Sequence, residues 1–217
     1  GCVIGNRPID LHVRALEGLG AEVRLSGGIV QVNGSNLSGN SVFIGGRHGS
    51  TVTGTANALM LAVLTPGCTI LEGSACEPEI TDLCHMLKAM GANIEGVGSH
   101  LLKVEGVEKL KGCQHTVIPD RIEAGTYILA GAITGGELTI EGINAAHMGS
   151  FLDLLKTAGL PLNYKKRSIK TSKNLNLSPV EVVTLPFPGF PTDLQAQICA
   201  LACITNGLSV ITERVYP

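Results

Sequence analysis

A chain of 217 residues is enough for one large domain or two modest ones. Its net charge of −2 and 3% aromatic content without Trp exclude the basic, stacking surface of a nucleic-acid binder. No apolar run reaches the roughly 18 residues of a membrane span, so no membrane partner is expected.

The opening loop, Gly1-Cys-Val-Ile-Gly-Asn-Arg-Pro8, lacks the apolar core of a secretory leader and places a thiol, Cys2, near the cation Arg7. Seven cysteines, an odd number at irregular spacing, predict reduced thiols in a cytoplasmic compartment, with no zinc-site spacing among them. Arg7 to His12 read either as a turn that caps, through Asp10, a helix over residues 11–21 that Gly20 closes, or as a ligand-binding edge presenting backbone groups and one cation; His12 on that helix reads as structural. Strand-like segments follow at 22–25 and 29–32. Residues 53–64 form a nearly all-apolar helix, then Pro66-Gly67 and a strand over 69–72. A second glycine-closed helix is predicted over 83–92, with strands at 93–95 and 101–104.

The polar, turn-rich stretch 109–115 precedes a domain crossing expected near 117–119. The pattern then resumes. An apolar helix spans 120–133, with Asp120 capping and Glu123 at its third position, and leads to a strand over 137–141. A glycine-closed helix at 151–160 precedes strands at 162–165 and 168–171. Three prolines are expected to hold residues 185–191 extended. Thr192 and Gln195 then have capping-box spacing at the start of a third apolar helix, 192–204, which leads to a strand at 208–212. Cys199 and Cys203 share a face of that helix and read as core packing.

Two helix types thus recur at a period of about 70 residues, longer than in solenoid repeats. Each copy supplies an enclosed helix, a more exposed helix and covering strands, an α/β arrangement. No G-x-G-x-x-G joins a strand to a helix, and Thr51-Val-Thr-Gly-Thr55 lacks the lysine of a P-loop, so this is not a dinucleotide or P-loop fold. The enclosed helices begin at Thr53, Asp120 and Thr192. Related by approximate rotation, their N-termini would face one cavity attractive to anions. Asp193 is a carboxylate at one such helix mouth, either complementing the dipole or clamping a ligand as a base.

Six stretches resemble the enolpyruvyl transferases, in that family's order along the whole chain: Gly1 to His12, Thr51-Val-Thr-Gly-Thr55, Glu77-Pro-Glu-Ile80, Pro119 to Tyr127, Phe190 to Gln197 and Ile211-Thr-Glu-Arg-Val-Tyr216. The resemblance implies an inverse α/β barrel built from repeated βαβαββ units, with 1–118 the latter part of a first domain and 119–217 the first part of a second. It implies that the remainder of the same two-domain protein is a partner. The activity implied is cofactor-free transfer of the enolpyruvyl group of phosphoenolpyruvate to the 3′-hydroxyl of UDP-N-acetylglucosamine, the entry to peptidoglycan synthesis. The shikimate-pathway reaction and a non-catalytic nucleotide-sugar-binding module are the rival readings.

By the same resemblance, Cys2 is the proton donor, forms an adduct with phosphoenolpyruvate and is the target of fosfomycin. Asp193 contacts the reacting hydroxyl and takes its proton. Arg7, Pro8, Ile9, Asp10 and Leu11 hold the uridine; Ser50, Thr51, Val52 and Thr53 form the diphosphate turn; Val215 is a further sugar contact. The chain departs from the family pattern where Ser50 replaces a lysine, with Arg47 and His48 nearby, and where Cys76 replaces an arginine.

Overall fold

Helix α1 (Asp10–Gly18) forms where apolar residues recur at helical spacing, and it buries Ala15 while its polar face stays outside. The computed structural model describes residues 8–173 and 176–216 of the chain. These fall into two units, Gly1–Val117 and Ile118–Pro217.

In the first unit α1 leads to a hairpin of β1 (Glu22–Ser26) and β2 (Ile29–Asn33), paired from Glu22 with Asn33 to Ser26 with Ile29. Next come β3 (Ser41–Phe43), α2 (Val52–Ala62), β4 (Cys68–Glu72), α3 (Pro78–Ala89), β5 (Asn93–Glu95) and β6 (Leu101–Glu105). Together they make one complete βαβαββ unit. Its sheet runs β3-β4-β6-β5, with β3 and β4 parallel and the other pairs antiparallel. A parallel pair needs a long crossover, and α2 supplies it. Leu59 and Ala62 of α2 pack in one core with Leu71 and Leu102 from the sheet, Ile44 just after β3, and Ile80 and Leu87 of α3. The helix expected at 83–92 opens earlier, at Pro78, because proline is tolerated in a first turn where its missing N–H costs nothing.

The second unit runs α4 (Arg121–Thr134), β7 (Leu138–Glu141), α5 (Gly149–Thr157), β8 (Leu162–Lys165) and β9 (Ser168–Thr171), the same αβαββ order as α2 to β6. Its antiparallel sheet is β7-β9-β8. Then β10 (Glu181–Val183), a 3₁₀ turn (Thr192–Leu194), α6 (Gln195–Ala202) and β11 (Val210–Thr212) form a further crossover whose two strands pair in parallel. Gly125 of α4 faces Leu194 so closely that an added Cβ would lie 2.7 Å from its side chain. Thr126 accepts a hydrogen bond from Gln197 at 3.0 Å. The two helices therefore run side by side from the same end. Gly20, Gly91 and Gly159, placed as helix closers, all take positive φ.

Several expectations are corrected. Residues 185–191 are not extended: Gly189 N–H donates to the Pro186 carbonyl and Leu185 N–H to that of Phe190. Folding back satisfies main-chain groups that an extended segment would leave unpaired, and proline's fixed φ is compatible with a turn. Thr192 does not cap a helix, since its hydroxyl is drawn to Glu213 instead. The second helix starts at Val52, with Thr51 rather than Thr53 at its entrance. Asp10 lies inside α1 and makes no cap; Ile9 holds that position without a side-chain hydrogen bond.

The apolar helices are also not enclosed all round. Met60 of α2 and Tyr127 of α4 are exposed, and so are Cys199 and Cys203. On α6 the inward positions are Ile198 and Leu201, while Cys199 and Cys203, four apart, share another side of the helix that no described element covers.

Candidate functional site

The sequence-predicted residues gather into two groups, one in each unit. In the first, Thr51 is extended at the mouth of α2 and its Oγ1 accepts from the Gly54 amide at 3.2 Å. The amides of Val52 and Thr53 remain at the positive end of the helix, where an anion is stabilised. Both residues are exposed. The Ser50 Oγ is buried and has no hydrogen-bond partner among the described residues. Arg47 and His48 stand exposed in the preceding turn, which the reciprocal backbone bonds of Gly46 and Gly49 close.

That turn meets α1 because Gly46 has no side chain: a Cβ there would lie 2.8 Å from the Leu11 Cδ1. A second link is His12. The Asn57 amide lies 2.8 Å from its Nδ1 and the Thr53 hydroxyl 3.2 Å from its Nε2. With the amide donating to Nδ1, the ring hydrogen sits on Nε2 and is donated to Thr53. Leu11 is thereby brought to the Ser50–Thr53 turn, with Pro8, Ile9 and Asp10 exposed at the entrance to α1. Cys2 and Arg7 lie outside the described residues.

In the second unit Asp193 is exposed on the 3₁₀ turn, which the fully buried Leu194 anchors. Beside it the carboxylate of Glu213 accepts four hydrogen bonds. Oε1 takes Thr184 Oγ1 at 2.7 Å, Val215 N at 2.7 Å and Tyr216 N at 3.0 Å, and Oε2 takes Thr192 Oγ1 at 2.8 Å. Burial pushes its pKa up, but the combined donors outweigh that and hold it below the ordinary glutamate value. Asp193 and Val215 are thus joined through a residue that sequence reasoning did not single out. Glu213 lies inside a motif quoted above, but no spacing rule reveals that four donors converge on it.

Asp120 caps α4 as expected, its Oδ1 accepting from the amides of Ile122 and Glu123. Arg121 is 8% exposed, with its guanidinium 5.8 Å from the centre of the Phe187 ring. Both border a shallow recess whose walls include Phe151, Pro191 and Leu194. Cys76 lies 3.3 Å from His100 Nδ1, and burial followed by the Glu77 charge raises its pKa. Among the described residues no three His, Cys, Asp or Glu side chains are grouped to hold a metal ion, and no helix is long and apolar enough to cross a membrane. Chemically, the first group offers helix-end amides to an anion, and the second offers an exposed carboxylate on a fixed turn, able to take a proton from a hydroxyl.

The family model for EPSP synthase (3-phosphoshikimate 1-carboxyvinyltransferase) matches residues 1–216. The chain belongs to this family. Members similar to it include the UDP-N-acetylglucosamine 1-carboxyvinyltransferases of Methylacidiphilum infernorum, 48% identical, and Akkermansia muciniphila, 45% identical; in both the match covers 100% of this chain and 52% of the relative. The enolpyruvyl transferase NikO from Streptomyces tendae shares the fold at a TM-score of 0.86 and 23% identity, over 97% of this chain and 52% of that one. EPSP synthase from Acinetobacter baumannii aligns at 0.65 and 20% identity, over 94% of this chain and 48% of that one. The family is one of enolpyruvyl transferases, and its fold is the mixed α/β arrangement described above. The chain spans about half the length of the curated relatives it matches.

Proposed function

We propose that this chain serves the transfer of the enolpyruvyl group from phosphoenolpyruvate to the 3′-hydroxyl of UDP-N-acetylglucosamine, with release of phosphate. The observation that carries the reading is the 48% identity, over the whole chain, to a protein named for that reaction. In this reading the hydroxyl oxygen bonds to C2 of phosphoenolpyruvate while Asp193 takes its proton and the Cys2 thiol delivers a proton to C3. The tetrahedral intermediate then loses phosphate from C2 and a proton from C3, which restores the double bond. Arg7, Pro8, Ile9, Asp10 and Leu11 hold the uridine end, Ser50, Thr51, Val52 and Thr53 the diphosphate, and Val215 the sugar.

The exposed Asp193 carboxylate and the unclaimed amides at the start of α2 support these roles. The reaction would feed peptidoglycan synthesis in the cytoplasm, and Cys2 would be alkylated by fosfomycin. A relative twice as long as this chain and the uncovered apolar sides of α2, α4 and α6 support packing against the rest of a family-length protein.

The test is phosphate release by the intact protein given phosphoenolpyruvate with either UDP-N-acetylglucosamine or shikimate 3-phosphate. Release with the nucleotide sugar, cut by about 10²-fold or more in Asp193→Asn as for loss of a proton acceptor, is the expected result. Release only with shikimate 3-phosphate would replace this reading with the one that the family description carries.

A further inference from the structure

Glu213 and Thr184 are the residues that immediately follow β11 and β10, so both stand at the C-terminal ends of a parallel strand pair. That end of a parallel sheet is where α/β proteins place ligands. Thr184 is fully buried and is tied on both sides: its N–H donates to the Thr212 carbonyl, and its Oγ1 donates to Glu213 while accepting from Arg214 N at 2.9 Å. With Thr192, Val215 and Tyr216 on the same carboxylate, the strand ends, the 3₁₀ turn and the 214–216 backbone meet at one side chain.

We propose that Glu213 is a positioning residue: its carboxylate sets the turn that carries Asp193 and the backbone at Val215 in one fixed relation, so that the proton acceptor and the sugar contact meet the same bound substrate. This rests on the reading of Asp193 and Val215 given above. The chemistry calls for an ionised carboxylate. Two of its four donors are main-chain amides, which can only donate, and a carboxylate offers acceptors on both oxygens. Glutamine offers one acceptor oxygen and turns an NH₂ toward the other partners. Its oxygen can serve Val215 and Tyr216 only by presenting nitrogen to Thr192, whose hydroxyl must then reverse. Aspartate keeps the charge but is one methylene too short to reach both sides. Thr192 immediately precedes Asp193, so slack at this hydroxyl passes directly to the reacting carboxylate.

The test uses Glu213→Gln, Thr192→Val and Thr192→Ser in the intact protein, with two separate readouts. The first is amide hydrogen exchange without substrate. Protection at Leu194, Val215 and Tyr216 should fall about tenfold or more in Glu213→Gln, whose neutral oxygen is a weaker acceptor than a carboxylate, while the β7-β9-β8 sheet is unchanged, as for a local opening. Unaltered protection at those amides overturns the proposal, whatever the protein turns over. The second readout is turnover. Glu213→Gln and Thr192→Val should lower kcat about tenfold or more with little change in KM for phosphoenolpyruvate, because misplacing a reacting group costs rate rather than binding of the other substrate. Thr192→Ser, which keeps the hydroxyl, should restore kcat.

In an Asp193→Asn background the same Glu213→Gln change should cost little more, since a residue acting through Asp193 has nothing left to position. An undiminished further loss in that background overturns the proposal, as does a fall in melting temperature with kcat intact. A wild-type protein that turns over neither acceptor refutes the proposed function, and the exchange result still judges the role of Glu213.

Discussion

Asp193 and Glu213 are carboxylates of one unit with opposite surroundings. Asp193 stands in solvent on a turn, whereas Glu213 spends both oxygens on four donors. In the sequence Asp193 was the conspicuous one, set between Thr192 and Leu194 at a helix mouth, and Glu213 looked like any acidic residue after a strand. The cysteines make the same point. Their spacing predicted free thiols, and the six described cysteines are free, but it could not rank them. Cys84 is fully buried, and burial pushes its pKa up to about 11, whereas Cys113 is exposed. Iodoacetamide at neutral pH should therefore modify Cys113 quickly and leave Cys84 untouched until the chain unfolds, because the thiolate is the reactive form. Peptide mapping by mass spectrometry measures both. Equal labelling rates in the folded protein would contradict the packing of α3.

At the scale of elements, α1 and α2 are joined by more than apolar packing. His12 bonds to Thr53 and Asn57 across the two helices, so the strip that precedes α1 and the turn that precedes α2 are held together by one ring. The sequence reading of His12 as structural agrees with these two bonds. That its partners are the first turns of α2 was not legible, because they lie far along the chain and only helix packing brings them near. Removing two neutral hydrogen bonds typically costs about 1–2 kcal/mol in total. His12→Ala should lose that much stability in a denaturant titration. On the proposed function it should also weaken binding of UDP-N-acetylglucosamine, measured by calorimetry, more than His12→Gln, which can still donate and accept. Weakened binding without loss of stability would mean that the ring touches the ligand directly instead of bracing the helices.

On the scale of the whole molecule, the apolar surface is uneven. Leu25 of the hairpin is 64% exposed and Tyr127 of α4 57%, and Val30, Val32, Met60 and Ile204 are exposed as well. A two-stranded hairpin is marginal on its own, and helices apolar all round belong in interiors. The relatives are about twice as long, and these faces are the ones assigned to packing in the proposal above. Cys199 and Cys203 report on this directly. They should react with a thiol reagent, alongside binding of an apolar dye, in the 217-residue chain alone, and become shielded in a protein of the relatives' full length. Equal reactivity in the two would show that this side of α6 stays open.

What the sequence by itself determined is what depends on near neighbours. The recurring pair of helix types, the glycines that close one type, and the strand pairs at 22–33, 93–105 and 162–171 all follow from spacing and turn residues that act over a few positions. Asp120 capping α4 is equally local. The tertiary structure decided whatever depends on which distant group arrives first. Thr192 had the right neighbour for a capping box, but Glu213 offers its hydroxyl a charged acceptor, and the local motif lost. Three prolines suggested an extended run, but unpaired main-chain groups closed it into a turn. Hydrophobic pattern placed Cys199 and Cys203 inside, yet burial needs a partner face as well as an apolar side chain, and only the packed fold shows which side of a helix has one.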